Sequence, residues 1–429
     1  MAKRTHEERN RGFYDERAER MDPAERTAFQ QKEALRTLQY AHARAPGYRR
    51  FLDEKGVDPA SIHTIADFAR IPVLKKNRMP EYHKADPPFG GFLAVPVESL
   101  KRIYVSPGPI HDPEGRQEDY WGLRKCLYNA GFRAGDLVMN TFSHHLTPGG
   151  IFLDEACGGI GCVMVPTGVG NTEIQVRTMA ALKVNGYLGT ASFLTALIGK
   201  MEELGYDPAR DLTVEIAFVG GEILTASLRS GLQERGILVR QGYITADLGT
   251  LAYECPCENG MHLADDRYIE ICDPLTGEPL PAGAIGEVVV TNFMSPCYPL
   301  VRYGTGDLSV VDPAPCPCGR TSPRLRGILG RADEVTKIRG MFVHPRQVNE
   351  AAARFPEQIE RARVVVTREG DADVMTVELL LKGGVAATDA LRTAVEERIR
   401  ETTKLRGTVL FVPEIPAGAK TIDDRRKWD

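Results

Sequence analysis

The chain has 429 residues, too many for one ordinary core, so two or three domains are expected. Hydrophobic residues make up 42% and charged residues 26%, the balance of a soluble globular protein rather than a disordered or membrane-embedded one. A net charge of -4 gives no electrostatic case for nucleic acid or an anionic membrane as partner.

The opening stretch, MAKRTHEERNRGFYDERAER, has no apolar core and reads as neither signal peptide nor anchor. No run of about 18 apolar residues exists to span a bilayer. Without an export signal, nine cysteines point to a reducing, cytoplasmic setting. Four of them form two Cys-Pro-Cys units, which favours metal over disulfide.

Residues 1–50 are helical in pattern, with Leu35, Leu38, Tyr40 and Ala41 expected as one buried stripe. The segment DYWGLRKCLYNAGFRAGDLVMNTFSHHLTPGG reads as helix, turn, strand, loop. From Ile151 to Gly249 short apolar strands (CVMVP, GYLGT, EIAFVGG, ILVRQGY) alternate with helical stretches, which predicts parallel strands joined by crossover helices. Ligands of such sheets gather at the carboxyl ends of the strands. Beyond Asp333, two apolar strands and the helix TDALRTAVEERIRETTK suggest an α+β unit of roughly 95 residues. The expected architecture is α/β: a large domain, 1–332, with mostly parallel sheets and helices, and a small mobile α+β domain, 333–429.

Two groups of residues invite chemistry. Asp307 follows two glycines, and its two acceptor oxygens suit the vicinal hydroxyls of a ribose. Cys255, Cys257, His262, Cys316 and Cys318 offer the donor types that structural Zn²⁺ takes tetrahedrally.

The stretch from Arg302 to Pro345 resembles the adenylate-forming superfamily, and in detail its phenylacetate–coenzyme A ligase branch. That branch carries RYRTxD, a cysteine-rich loop, GRSDD and RGxNVFP. The matching residues are Arg302-Tyr303-Gly304-Thr305-Gly306-Asp307, Cys316-Pro317-Cys318-Gly319, Gly330-Arg331-Ala332-Asp333-Glu334 and Arg339-Gly340-Met341-Phe342-Val343-His344-Pro345. The segments LRTLQYAHARAPGYRRFLDEKGVDP and FARIPVLKK are similar to the family's opening, so the resemblance spans essentially the whole chain.

The resemblance implies a two-step ligase using ATP, Mg²⁺ and coenzyme A on a small carboxylic acid, aromatic or arylacetic as first expectation. Asp307 would hold the ribose, and Asp333 would be the hinge, with Arg331 and Lys337 facing that junction. Gly220-Gly221-Glu222 resembles the GAE motif beside adenine. Gly242-Tyr243-Ile244-Thr245-Ala246-Asp247 resembles YGxTE, so Tyr243 and Thr245 fall to the nucleotide and Asp247 to Mg²⁺. Asp247 is one methylene shorter than the usual Glu. Lys420, in a glycine-containing terminal loop, matches the lysine that meets charge developing at phosphorus. Phe142, His144, His145, Gly149 and Ser192 are carried over to the substrate pocket. Cys255, His262, Cys316 and Cys318 map to the zinc ligands of the zinc-bearing members, with Cys257 in place of His262 as an alternative.

The family's phosphate loop, SSGTTGKP, is the weakest match. In SPGPIHDP only Ser106 and Gly108 fit, and two prolines remove backbone donors. A ligase-derived protein that binds or transfers acyl groups without ATP therefore remains an alternative. The residues do not fix the acid or the oligomeric state; a homodimer is compatible, and no nucleic acid or membrane partner is expected.

Overall fold

Asp22 opens the first long helix, α1 (Pro23–Arg44), by accepting from the backbone N–H groups of Ala24 and Glu25, with Pro23 in the first turn. Its buried stripe runs through Ala34, Leu38 and Ala41, with Ala45 buried just past its end. Leu35 and Tyr40 flank it, only partly buried, because the 3.6-residue repeat turns them off the central line. α2 (Pro46–Glu54) follows directly. The computed structural model describes residues 3–332, 336–339, 341–369 and 372–426. Asp333, Glu334 and Gly340, and the side chain of Lys337, lie outside them.

The chain divides into two compact units. One holds Met1–Thr305 and Ser309–Ile328, the other Gly306–Leu308 and Leu329–Asp429.

The first unit contains β1 (Leu74–Lys75) and a hairpin, β2 (Arg102–Ser106) with β3 (Ile110–Glu114). Helix α3 (Leu123–Ala130) precedes β4 (Leu137–Asn140). Then come α4 (Gly149–Gly159), β5 (Val163–Pro166), α5 (Thr172–Leu182), β6 (Gly186–Gly189), α6 (Ala191–Glu203), β7 (Ile216–Val219), α7 (Ala226–Gln233) and β8 (Leu238–Thr245). Strands 5, 4, 6, 7 and 8 lie side by side in that order, all parallel, as the alternating pattern predicts. β6 and β7 are wholly buried, which is why they read as continuous apolar runs.

At Gly249 the sheet changes character. β9 (Gly249–Glu254) returns antiparallel to β8, and β10 (Met261–Leu263) continues the reversal. Gly249 has φ +72°, and a Cβ there would stand 2.3 Å from the Trp121 carbonyl, so only glycine makes the turn. A second sheet is built from β11 (Arg267–Cys272), β12 (Gly286–Asn292) and β13 (Tyr303–Ser309), with β1 parallel to β13 on its edge. Motif residue Arg302 is buried behind it and donates to Glu270 at 3.1 Å and to the Gly277 carbonyl at 2.7 Å. Short strands β14 (Val311–Asp312) and β15 (Arg324–Leu325) extend the large sheet to nine strands.

In the second unit β16 (Gly330–Arg331) pairs with the end of β13, placing Arg331 opposite Asp307. After β17 (Thr336–Ile338), β18 (Met341–Val343) and α8 (Pro345–Ala352) come β19 (Ile359–Glu369), β20 (Ala372–Leu381), α9 (Asp389–Thr403), β21 (Thr408–Phe411) and β22 (Ile422–Asp424). The strands order 21-20-19-22 with a core of Val364, Val366, Val377, Leu379, Val395 and Ile399. This is the expected α+β arrangement. No described helix is long and apolar enough to cross a membrane.

Candidate active site

The loops that leave β4, β5 and β6 at their carboxyl ends enclose a cavity of about 630 Å³. Phe142, Gly149 and Ser192 line it, with Thr190, Phe193 and Val169. Its size and its apolar walls with a few hydroxyls suit a small organic ligand. The backbone N–H and hydroxyl of Ser192 both donate to the Glu222 carboxylate, at 2.7 and 2.8 Å, tying the first turn of α6 to the loop after β7. Gly221 and Glu222 are exposed there.

The two histidines do not line the cavity. The His144 ring is paired with Asp154 of α4 at 2.9 Å, and Asp154 also accepts from Asn140 at 2.7 Å. A Cβ on Gly150 would meet the His144 ring at 2.7 Å, so the glycine-rich start of α4 lets the imidazole lie flat against the helix. His145 is exposed to solvent. This cavity does not hold the two histidines that the resemblance carries over to the substrate pocket, because Asp154 offers His144 a charged partner that the cavity does not.

At the end of β8, Asp247 is buried, and the Lys76 ammonium lies 3.1 Å from its carboxylate. Burial alone would raise this carboxyl; the Lys76 charge and the hydroxyls of Thr245 and Tyr303 outweigh it and hold Asp247 below the usual carboxylate range. Thr245 also accepts from the Leu248 N–H at 3.3 Å. Tyr243 is buried in the sheet. The expected phosphate loop is a tight hairpin turn at Pro107-Gly108-Pro109, with Ser106 opposite Ile110. Gly108 is exposed at its tip, whereas Ser106 is buried beside Asp112. Burial first, and the charge of Asp247 second, push the Asp112 carboxyl up to about 7.

His83 braces this hairpin. Its Nδ1 accepts the His111 N–H at 3.3 Å, so Nε2 carries the proton toward the Tyr298 hydroxyl, 3.1 Å away. Burial, then His111, pull the His83 pKa down to about 4 and keep the ring neutral.

Cys255, His262, Cys316 and Cys318 converge, with their ligand atoms all within 4.8 Å of one another. The Cys255 and Cys316 sulfurs are 3.7 Å apart, and Cys318 Sγ lies 3.3 Å from His262 Nε2. His262 Nδ1 donates to the Ser322 carbonyl at 2.9 Å, which leaves the Nε2 lone pair facing the thiols. A hydrogen bond from Cys255 pulls the Cys318 thiol well below its usual range, so the cluster already favours a thiolate. Cys257 is exposed and outside the cluster, whereas His262 stands among the other three thiols.

In the second unit, Arg331 Nη1 donates to Asp307 at 2.8 Å. Gly306 has φ +78°, and a Cβ there would stand 2.5 Å from the Arg331 guanidinium, so the glycine before Asp307 makes room for its partner. Lys420 is exposed and lines a cavity of about 270 Å³ with Arg361 and Arg363. Its loop is pinned on one side by Arg361, which donates to the Ile415 and Pro416 carbonyls at 3.0 Å, and on the other by the Val364 N–H to Thr421 bond at 2.8 Å.

No family model matches the chain. Phenylacetate–coenzyme A ligase from Thermus thermophilus is 32% identical over 418 residues, covering 91% of this chain and 92% of the relative. The enzyme of the same name from Pseudomonas putida is 31% identical, covering 82% and 81%. The chain belongs to the phenylacetate–coenzyme A ligase family. The solved structure of a 2-hydroxyisobutyryl-CoA ligase, in complex with 2-HIB-AMP and CoA, matches this ligase with TM-score 0.88 at 25% identity, covering 99% of this chain and 96% of that one. A second structure of that enzyme, with 2-HIB-AMP, matches with TM-score 0.74 at 26% identity, covering 99% and 94%. The ligase is an AMP-forming acid–CoA ligase.

Sequence reasoning missed Lys76, Asp112 and Asp154. Lys76 sits in the quoted segment PVLKK, but nothing local marks it as a partner for a residue 171 positions away. Asp112 had a signal: it stands where SSGTTGKP has its lysine.

Proposed function

We propose that this ligase activates an aromatic or arylacetic acid. The carrying observation is 32% identity to a phenylacetate–coenzyme A ligase over 91% of the chain, together with the cavity bordered by Phe142 and Phe193. The acid's carboxylate oxygen attacks the α-phosphorus of ATP, and pyrophosphate leaves. The coenzyme A thiol then attacks the acyl carbon, AMP leaves with the electron pair of the broken C–O bond, and the thiol proton passes to solvent.

The chain's residues take the following parts. Asp307 accepts from the ribose hydroxyls, with Arg331 holding its carboxylate in place. Glu222 steadies the first turn of α6, which carries Ser192, bordering adenine on one side and the acyl cavity on the other. Tyr243 and Thr245 shape the floor at the end of β8. Lys420 meets negative charge developing on the phosphoryl oxygens. Asp247, acid and buried, suits Mg²⁺, which supplies charge neutralisation on the phosphates. The three-cysteine, one-histidine cluster suits a structural Zn²⁺: its four ligand atoms, the imidazole among them, leave no vacant position for substrate.

A second reading is a small 2-hydroxy acid. The structural likeness to 2-hydroxyisobutyryl-CoA ligase and the hydroxyls of Thr141, Ser143, Thr147, Thr190 and Ser192 favour it. One experiment separates the readings: pyrophosphate release measured over arylacetic, benzoic, 2-hydroxy and simple aliphatic acids. Fastest turnover of phenylacetate supports the first; turnover of aliphatic acids alone rejects it. Thioester formation in ATP-free buffer from an acyl-CoA donor would instead favour the transferase alternative.

A further inference from the structure

Asp112 has no part in the roles above. Aligned with SSGTTGKP, the run Ser106-Pro107-Gly108-Pro109-Ile110-His111-Asp112-Pro113 puts it in the lysine's place. The exchange takes a cation out of a loop that meets polyphosphate and adds an anion. Such a swap is unfavourable unless another cation stands between loop and phosphates.

The structure places this carboxylate where a cation is wanted. Asp112 is fully buried on β3, opposite Tyr104. Ser106 stands beside it and favours its charge weakly, but neither carboxylate oxygen has a hydrogen bond of full length and angle among the described residues. The charged groups that act on it are Asp247 and Lys76. The Lys76 ammonium is already engaged with Asp247, so one lysine faces two buried carboxylates. Asp247 is itself shorter than the glutamate usual at its position, and a second carboxylate from the facing hairpin makes up the lost reach.

Resting on the ligase reading, we propose that Asp112 is a second carboxylate ligand of the divalent cation that enters with ATP, forming with Asp247 a two-carboxylate cradle beneath the phosphates. Mg²⁺ is held in this manner elsewhere, by one or two carboxylates with phosphate oxygens and waters completing the octahedron. The metal then returns to the loop the positive charge that the lysine carried, and Lys76 is released from Asp247 toward the phosphates.

The test is Mn²⁺ binding, followed by the electron paramagnetic resonance of free Mn²⁺, to the full chain with a non-hydrolysable ATP analogue. Asp112→Asn is expected to weaken Mn²⁺ binding about tenfold or more, by analogy with the loss of groups that support a metal site. Metal-free AMP binding, measured by calorimetry, should stay within about twofold. Equal Mn²⁺ affinity in the two chains, with analogue bound, overturns the role of Asp112 and leaves the ligase intact. Failure of the wild-type chain to bind either nucleotide overturns both. Wild-type crystals soaked with MnCl₂ and the analogue give a check independent of the variant's folding. An anomalous peak about 2.0–2.3 Å from the Asp112 carboxylate supports the inference, and a peak held by Asp247 alone overturns it.

Discussion

The Lys76 ammonium lies 3.1 Å from the Asp247 carboxylate and ties the turn after β1 to the end of β8. The aspartate is 1% exposed and the lysine 22%, so the pair sits at the edge of water with its acidic end inside. Removing the lysine leaves a buried, uncompensated charge. Lys76→Met should therefore cost about 3 kcal/mol in urea unfolding. Asp247→Asn, which removes the charge itself, should be folded but release pyrophosphate about 100-fold more slowly. Near wild-type turnover in Asp247→Asn would refute its place at the phosphates.

The thiol cluster predicts a metal content. Protein purified without chelator should carry one zinc per chain by mass spectrometry of the ion. Cys316→Ser or Cys318→Ser should lose it and melt roughly 5–10 °C lower. Cys257→Ser should do neither, since that thiol is exposed and apart from the cluster. A Cys257→Ser chain without zinc would show that the ligand set is wrong.

His83 gives a pH signature. Its folded pKa is about 4, against 6.5 for a free imidazole. Above pH 6.5 both states are neutral and its contribution is fully present. As pH falls from 6.5 toward 4, the unfolded chain takes up a proton that the folded chain refuses, so stability drops. His83→Gln should show a shallower loss across that window in denaturant midpoints measured at pH 7, 5.5 and 4.5. Identical slopes would mean that the ring is not held neutral.

Asp307 and Arg331 predict a nucleotide effect separate from the acid. Asp307→Ala should raise the KM for ATP about tenfold or more, as expected for a lost pair of charge-assisted hydrogen bonds. The KM for the carboxylic acid should change little. An unchanged KM for ATP would remove Asp307 from the ribose.

His144 supplies the contrasting case. Because its ring is spent on Asp154, His144→Ala should cost about 1 kcal/mol of stability and leave acid preference unaltered. Phe142→Ala, which opens the cavity wall, should change the ranking of acids in the pyrophosphate-release panel. A shift of preference in His144→Ala would return that ring to the pocket.

Much of this molecule was legible along the chain because its signals are local. Parallel strands such as β6 and β7 are covered on both faces, so their runs are apolar throughout and their alternation with helices reads directly. Gly306 before Asp307 and Gly249 after Asp247 mark backbone conformations that other residues resist, whatever lies elsewhere. The paired Cys-Pro-Cys units mark candidate metal ligands by spacing alone.

What tertiary structure decided is direction and partnership. Two adjacent histidines look alike in sequence, yet one is turned onto Asp154 and the other to water. His262 rather than Cys257 joins the thiols because the antiparallel strands β9 and β10 carry it there while the cysteine stays on the exposed turn. Lys76 and Asp112 come to Asp247 from segments more than 130 residues earlier. Charges at such separations meet only when the core closes around them, and no local pattern of residues encodes that meeting.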